Sequence, residues 1–134
     1  MYINDVTTAV DNGVITRLYA DDLKLYCKID SITDEFKLQN NLNKLSKWSK
    51  DWQLEISNTK RCAIILGNHK AAHNRAPVYF IGNHKLQSCS EVNDLGVQIR
   101  SDMKVESHIN KIVSKARIRS YFIKNVSDHV TQKL

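Results

Sequence analysis

The sequence predicts an α+β fold: an antiparallel hairpin with an acidic turn, a packing helix, a further strand, then a small hairpin and a basic terminal helix. Three observations carry this reading. Apolar and polar residues alternate on both sides of Ala20-Asp21-Asp22. Leucines and tryptophans recur at helical spacing between residues 32 and 53. Short apolar runs broken by glycine fill the following stretch until a second helical pattern begins near residue 105.

The first strand is read from Val14, Thr16 and Leu18 alternating with Ile15, Arg17 and Tyr19; the second from Leu23, Leu25 and Cys27 alternating with Lys24, Tyr26 and Lys28. Only a tight turn fits between them, yet the Asn-Gly or Asp-Gly that eases such a turn is missing. A local rule broken at one place points to function. In the helix, Leu38, Leu42, Leu45, Trp48 and Trp52 form one apolar stripe, with the tryptophans as core, and Asn40, Asn41, Lys44, Lys47 and Lys50 form the wet side. Ser31 followed by Asp34 resembles a capping box. Cys62 to Leu66 reads as a buried strand ended by Gly67, expected to join the acidic hairpin in one antiparallel sheet.

Residues 68–77, polar and ending in the single Pro77, read as a loop between two subregions. "VYFIGNHKLQ" then reads as a hairpin turning at Gly82-Asn83, and "DLGVQIR" as one more strand. Ile109, Ile112, Val113 and Ala116, continuing to Phe122 and Ile123, mark an amphipathic helix that carries Lys111, Lys115, Arg117, Arg119 and Lys124.

At 134 residues, 42% hydrophobic and 25% charged, one domain with a modest core is the expectation. The net charge of +6 is uneven: residues 1–30 hold three basic and five acidic groups, residues 101–134 seven and three. A basic C-terminal part suits a polyanion. No apolar run reaches the length of a membrane span, and the N-terminal ten residues do not read as a signal peptide. Cys27, Cys62 and Cys89 form no CxxC pair and read as free thiols in a reducing compartment.

Neighbouring aspartates each raise the cost of ionising the other, and a divalent cation removes that cost. Asp21 and Asp22 are therefore candidate ligands for Mg²⁺, which takes few protein carboxylates and keeps positions for water and phosphate oxygens. Paired metal ions clamp the attacking and leaving oxygens of phosphoryl transfer. Lys60, after the polar turn "SNTK", could neutralise phosphate or donate a proton; a solvent lysine is the plainer reading. His69 and His73 have ligand-like spacing but no second cysteine nearby, so a zinc site is not expected.

The segment "LYADDLKLY", Tyr19 to Asp22 at its centre, resembles the catalytic motif of reverse transcriptases. "FKLQNNLNKLSKWSKDWQLEISNTKRCAIILG" resembles the helix and strand that follow it in non-LTR, LINE-like or jockey-type retrotransposon polymerases. "YFIGNHKLQSCSEVNDLGVQIRSDMKVESHINKIVSKA" resembles their region after the palm, around "DLGV" and a downstream His-Ile, and the opening "YINDV" matches the segment before the hairpin. The resemblance covers nearly the whole chain in order.

It implies a partial reverse transcriptase palm over residues 1–67, the loop at 68–77, and a primer-grip-like hairpin with the start of a thumb over 78–134. It implies that Asp21 binds metal with Asp22 beside it, and that Tyr19 and Ala20 lie near the primer terminus and incoming nucleotide. Lys60 would approach the nucleotide phosphates, residues 78–88 would grip the primer, and residues 105–124 would begin the thumb, with Lys111, Lys115 and Arg117 on the nucleic acid. The implied partners are an RNA template, a DNA primer and deoxynucleotide triphosphates, with no membrane, in an intracellular setting, nucleus or cytoplasm. The family's further catalytic aspartate and its fingers fall upstream of this chain, so the resemblance implies a fragment inactive by itself. A non-catalytic nucleic-acid-binding module and an inert element remnant are the alternatives.

Overall fold

The computed structural model describes residues 3–11, 13–57, 59–67 and 77–131. It is α+β, and the chain divides into two compact units. One holds the residues up to Ala63 together with 77–88; the other holds 64–67 together with 89–131. The loop expected at 68–77, with His69 and His73, lies outside the described residues apart from Pro77.

The first unit opens with a 3₁₀ helix, Ile3–Ala9, followed by β1 (Ile15–Tyr19), β2 (Asp22–Tyr26), α1 (Ile32–Asp51) and the first two residues of β3 (Cys62–Ile64). β4 (Phe80–Ile81) and β5 (His84–Lys85) form the expected small hairpin around Gly82-Asn83. The core is Val6, Leu42, Leu45, Tyr79, Ile81 and Leu86, with Leu18, Leu23, Leu25, Leu38 and Trp48 packed at its margin. The alternation in β1 and β2 thus turns Leu18, Leu23 and Leu25 toward the core while Ile15, Tyr19 and Tyr26 face outward.

Both ends of α1 are closed. At the start, the Asp34 carboxylate accepts the Ser31 backbone N–H at 3.0 Å and the Ser31 hydroxyl at 2.7 Å, and pairs with Lys37 at 3.1 Å. The Ser31 bond first, and Lys37 next, hold this carboxyl down at about 2. At the end, Gln53 N–H donates to Lys50 O and Leu54 N–H to Ser49 O. This is a Schellman closure, with Gln53 at φ 55 in the place that usually takes glycine. A side-chain amide fastens β4 to α1: Gln39 Nε2 donates to Phe80 O, and Phe80 N–H donates to Gln39 Oε1, both at 2.9 Å.

The structure corrects the sequence reading at several positions. Asn41 is buried, because its Oδ1 accepts the Asp11 N–H at 2.7 Å and its Nδ2 donates to Lys37 O. Trp52 is 46% exposed, because the helix ends at Asp51 and the apolar stripe stops one residue short of it. β3 is three residues long and half-buried, and it pairs with β6 (Gln87–Cys89) instead of joining the acidic hairpin. So short a strand makes few ladder bonds, and β6 takes them. The described strands accordingly form four two-stranded sheets.

In the second unit, residues 91–100 make a complete hairpin where the sequence suggested one strand. β7 (Glu91–Asp94) and β8 (Val97–Arg100) pair Glu91 with Arg100 through Asp94 with Val97. The turn is Leu95-Gly96, with both residues at positive φ, 47 and 87, which is the type I′ pattern. Arg100 makes a two-point bond to the Asp102 carboxylate at 3.1 and 3.0 Å. Arg100 is the main cause that holds this carboxyl at about 2. α2 (Glu106–Thr131) follows; in its first turn, His108 Nδ1 accepts the Gln98 backbone N–H at 3.2 Å. Beyond that turn its described apolar residues are exposed, and no helix of the described residues is long and apolar enough to cross a membrane.

Candidate metal and nucleic-acid site

The β1–β2 register runs from Ile15 opposite Tyr26 to Tyr19 opposite Asp22, so the turn itself is only Ala20-Asp21. Asp22 is not a turn residue, as the sequence reading had it, but the first residue of β2. Of the two turn residues only Ala20 has positive φ, at 52. This is the type II′ arrangement, whose first central position favours glycine. An alanine held there stores on the order of 1 kcal/mol of backbone strain.

The strained turn delivers two adjacent carboxylates at an exposed tip. Asp21 and Asp22 are both exposed, and neither carboxylate has a hydrogen-bond or ion-pair partner among the described residues. Two unpartnered hard-oxygen donors, neighbours in sequence on a braced hairpin, fit a divalent cation that keeps several water ligands. No group of three or more His, Cys, Asp and Glu side chains suited to a metal forms among the described residues.

Tyr19 stands across the ladder from Asp22 and is 67% exposed. Two residues further from the tip, Arg17 sits directly opposite Lys24. The sequence reading did not single out Arg17 and Lys24; the alternation that placed Tyr19 outward was signal enough to find them. Lys60 is exposed in the turn ahead of β3, an element that pairs with β6 and not with the hairpin.

Lys111, Lys115 and Arg117 are exposed on α2, as are Arg119 and Lys124. They belong to the second unit, whereas Tyr19, Ala20, Asp21, Asp22 and Lys60 belong to the first. The structure thus joins Tyr19, Ala20, Asp21 and Asp22 into one tip and gives the three α2 cations a separate helix. Comparison with protein-family models, with curated proteins and with solved structures returns no match.

Proposed function

We propose that the chain is the rear of a reverse transcriptase palm with the start of its thumb, of the non-LTR retrotransposon type. In this reading Asp21 and Asp22 hold Mg²⁺ beside a DNA primer on an RNA template. One observation carries it: two adjacent, exposed aspartates with unpartnered carboxylates, one in a strained two-residue hairpin turn and the next opening β2. Bound there, Mg²⁺ supplies charge neutralisation for transfer of an incoming deoxynucleotide's phosphate. Asp21 and Asp22 bind the ion; Tyr19 offers an aromatic edge beside them; Lys60 neutralises phosphate charge. Lys111, Lys115 and Arg117 follow a phosphate backbone.

Two carboxylates make an incomplete cage, and transfer relies on positioned metal charge. The chain alone therefore falls short by on the order of a thousandfold or more in rate. Primer extension with the purified chain, an RNA template and Mg²⁺ gives no product; robust extension overturns the incompleteness. The metal reading has its own test. Added Mn²⁺ broadens the amide signals of residues 20–23 before those of other carboxylate-bearing segments, and Asp21→Asn and Asp22→Asn each abolish the effect. Uniform broadening over all exposed acids sinks the assignment.

The exposed cations of α2 also support a second reading, binding without catalysis. Affinity for an RNA–DNA duplex then falls steeply with salt, and the slope drops by roughly one for each of Lys111, Lys115 and Arg117 changed to Ala. A salt slope untouched by the triple substitution rules out α2 as the contact.

A further inference from the structure

We propose that the open cavity between the C-terminal end of α1 and the β4–β5 turn binds a phosphate-type oxyanion, with Ser46 at its floor and Lys50, Arg61 and His84 around it. The cavity measures about 430 Å³ and lies wholly in the first unit. Ser46 is 8% exposed, lines the cavity, and its hydroxyl has no hydrogen-bond partner among the described residues. The oxygen is not among the described polar atoms sealed from solvent without a partner, so it opens to the cavity, where a ligand oxygen can take the place of water.

The β4–β5 turn keeps this hydroxyl uncovered. A Cβ at Gly82 would stand 3.1 Å from Ser46 Oγ, and Gly82 holds φ +58. Two separate segments bring a cation and an imidazole, Lys50 from the last turn of α1 and His84 at the start of β5; Arg61, ahead of β3, also lines the cavity and has an interaction of its own. Glu55 is the one carboxylate among the lining residues. The Ser49 and Lys50 carbonyls at that helix end already accept the Leu54 and Gln53 N–H groups, so their repulsion of an anion is blunted. A phosphate fills only part of the volume. Leu54, Ile56 and Ile81 line the remainder and suit the organic substituent of a phosphomonoester.

The site is independent of the polymerase reading, since neither Asp21 nor Asp22 takes part. The test is an amide chemical-shift titration of the full chain at fixed ionic strength, with inorganic phosphate, a nucleoside 5′-monophosphate and a dinucleoside phosphodiester as separate arms. Saturable shifts at Ser46, Gly82 and His84 are expected, with the monophosphate tighter than inorganic phosphate. Ser46→Ala weakens binding about tenfold, by loss of a hydrogen bond to a charged group. Gly82→Ala weakens it comparably by covering the hydroxyl. Should that variant misfold, Ser46→Ala alone decides. A diester that binds as tightly as the monoester keeps the site and assigns it to a nucleic-acid backbone. Linear, unsaturating shifts, or saturable ones unchanged in Ser46→Ala, overturn the proposal. Asp21→Asn leaves the titration as it was.

Discussion

α1 and α2 carry similar apolar stripes and meet opposite fates. In α1, Leu42 and Leu45 are buried, Leu38 and Trp48 flank them, and both ends are closed by hydrogen bonds. In α2, Ile118, Tyr121, Phe122, Ile123 and Val126 are 58–71% exposed, and the described polar tie of the helix to the rest of its unit is His108 on Gln98. A periodic apolar stripe states that a face favours burial; it does not state what buries it. For α1 the cover is local, supplied by the 3₁₀ helix and by the segment around β4, with the hairpin leucines at the margin of the same core. For α2 the described residues of the second unit supply none beyond the first turn, so that helix lacks the packed face from which most helical stability in proteins comes.

The largest test of this contrast is a matched pair of truncations. Leu45→Ala should cost about 3 kcal/mol of unfolding free energy, because it empties a filled core position. Ile112→Ala, exposed at the corresponding kind of stripe position, should cost less than about 0.5 kcal/mol. Urea denaturation of the two variants checks this, and equal losses would mean that α2 is covered in solution.

A smaller effect comes from the helix end. Gln53→Gly should stabilise the first unit by about 1 kcal/mol, since glycine takes the left-handed backbone without a Cβ penalty. A lower thermal midpoint for this variant would show that the Gln53 side chain has a contact worth more than the strain. The smallest is a pH effect. Asp34 is held at about 2 against an ordinary 3.8, so its contribution is full above 3.8 and is lost as pH falls toward 2. Asp34→Asn should lower the midpoint at neutral pH and flatten its slope across that acidic window; an unchanged slope would exclude the cap as its source.

Much of the first unit was legible because its signals are local. The outward and inward residues of β1 and β2, the start of α1, the Ser31–Asp34 cap and the Gly82-Asn83 turn all follow from periodicity or turn chemistry. What escaped depends on distant partners. Nothing near Asn41 announces that Asp11 will bury it, and nothing in Gln39 announces that its amide will stand in for a strand beside Phe80. The β7–β8 hairpin was read as a single strand because Leu95 occupies a left-handed turn position that bulky side chains rarely take. At the site, sequence identified the acids and their outward tyrosine, but not that Asp22 already belongs to the ladder. The Ser46 cavity was invisible, since the residues that line it are scattered from position 46 to 84.

The alanine at the acidic turn has one more consequence. A free two-stranded ribbon is marginal in water even with an ideal bend, and this one bends around a residue in a disfavoured rotation. Excised as a synthetic peptide, residues 14–27 would be a fluctuating coil with its aspartates pointing everywhere. The posture of those acids is thus a property conferred from below, by the leucines that pack the ribbon against the core.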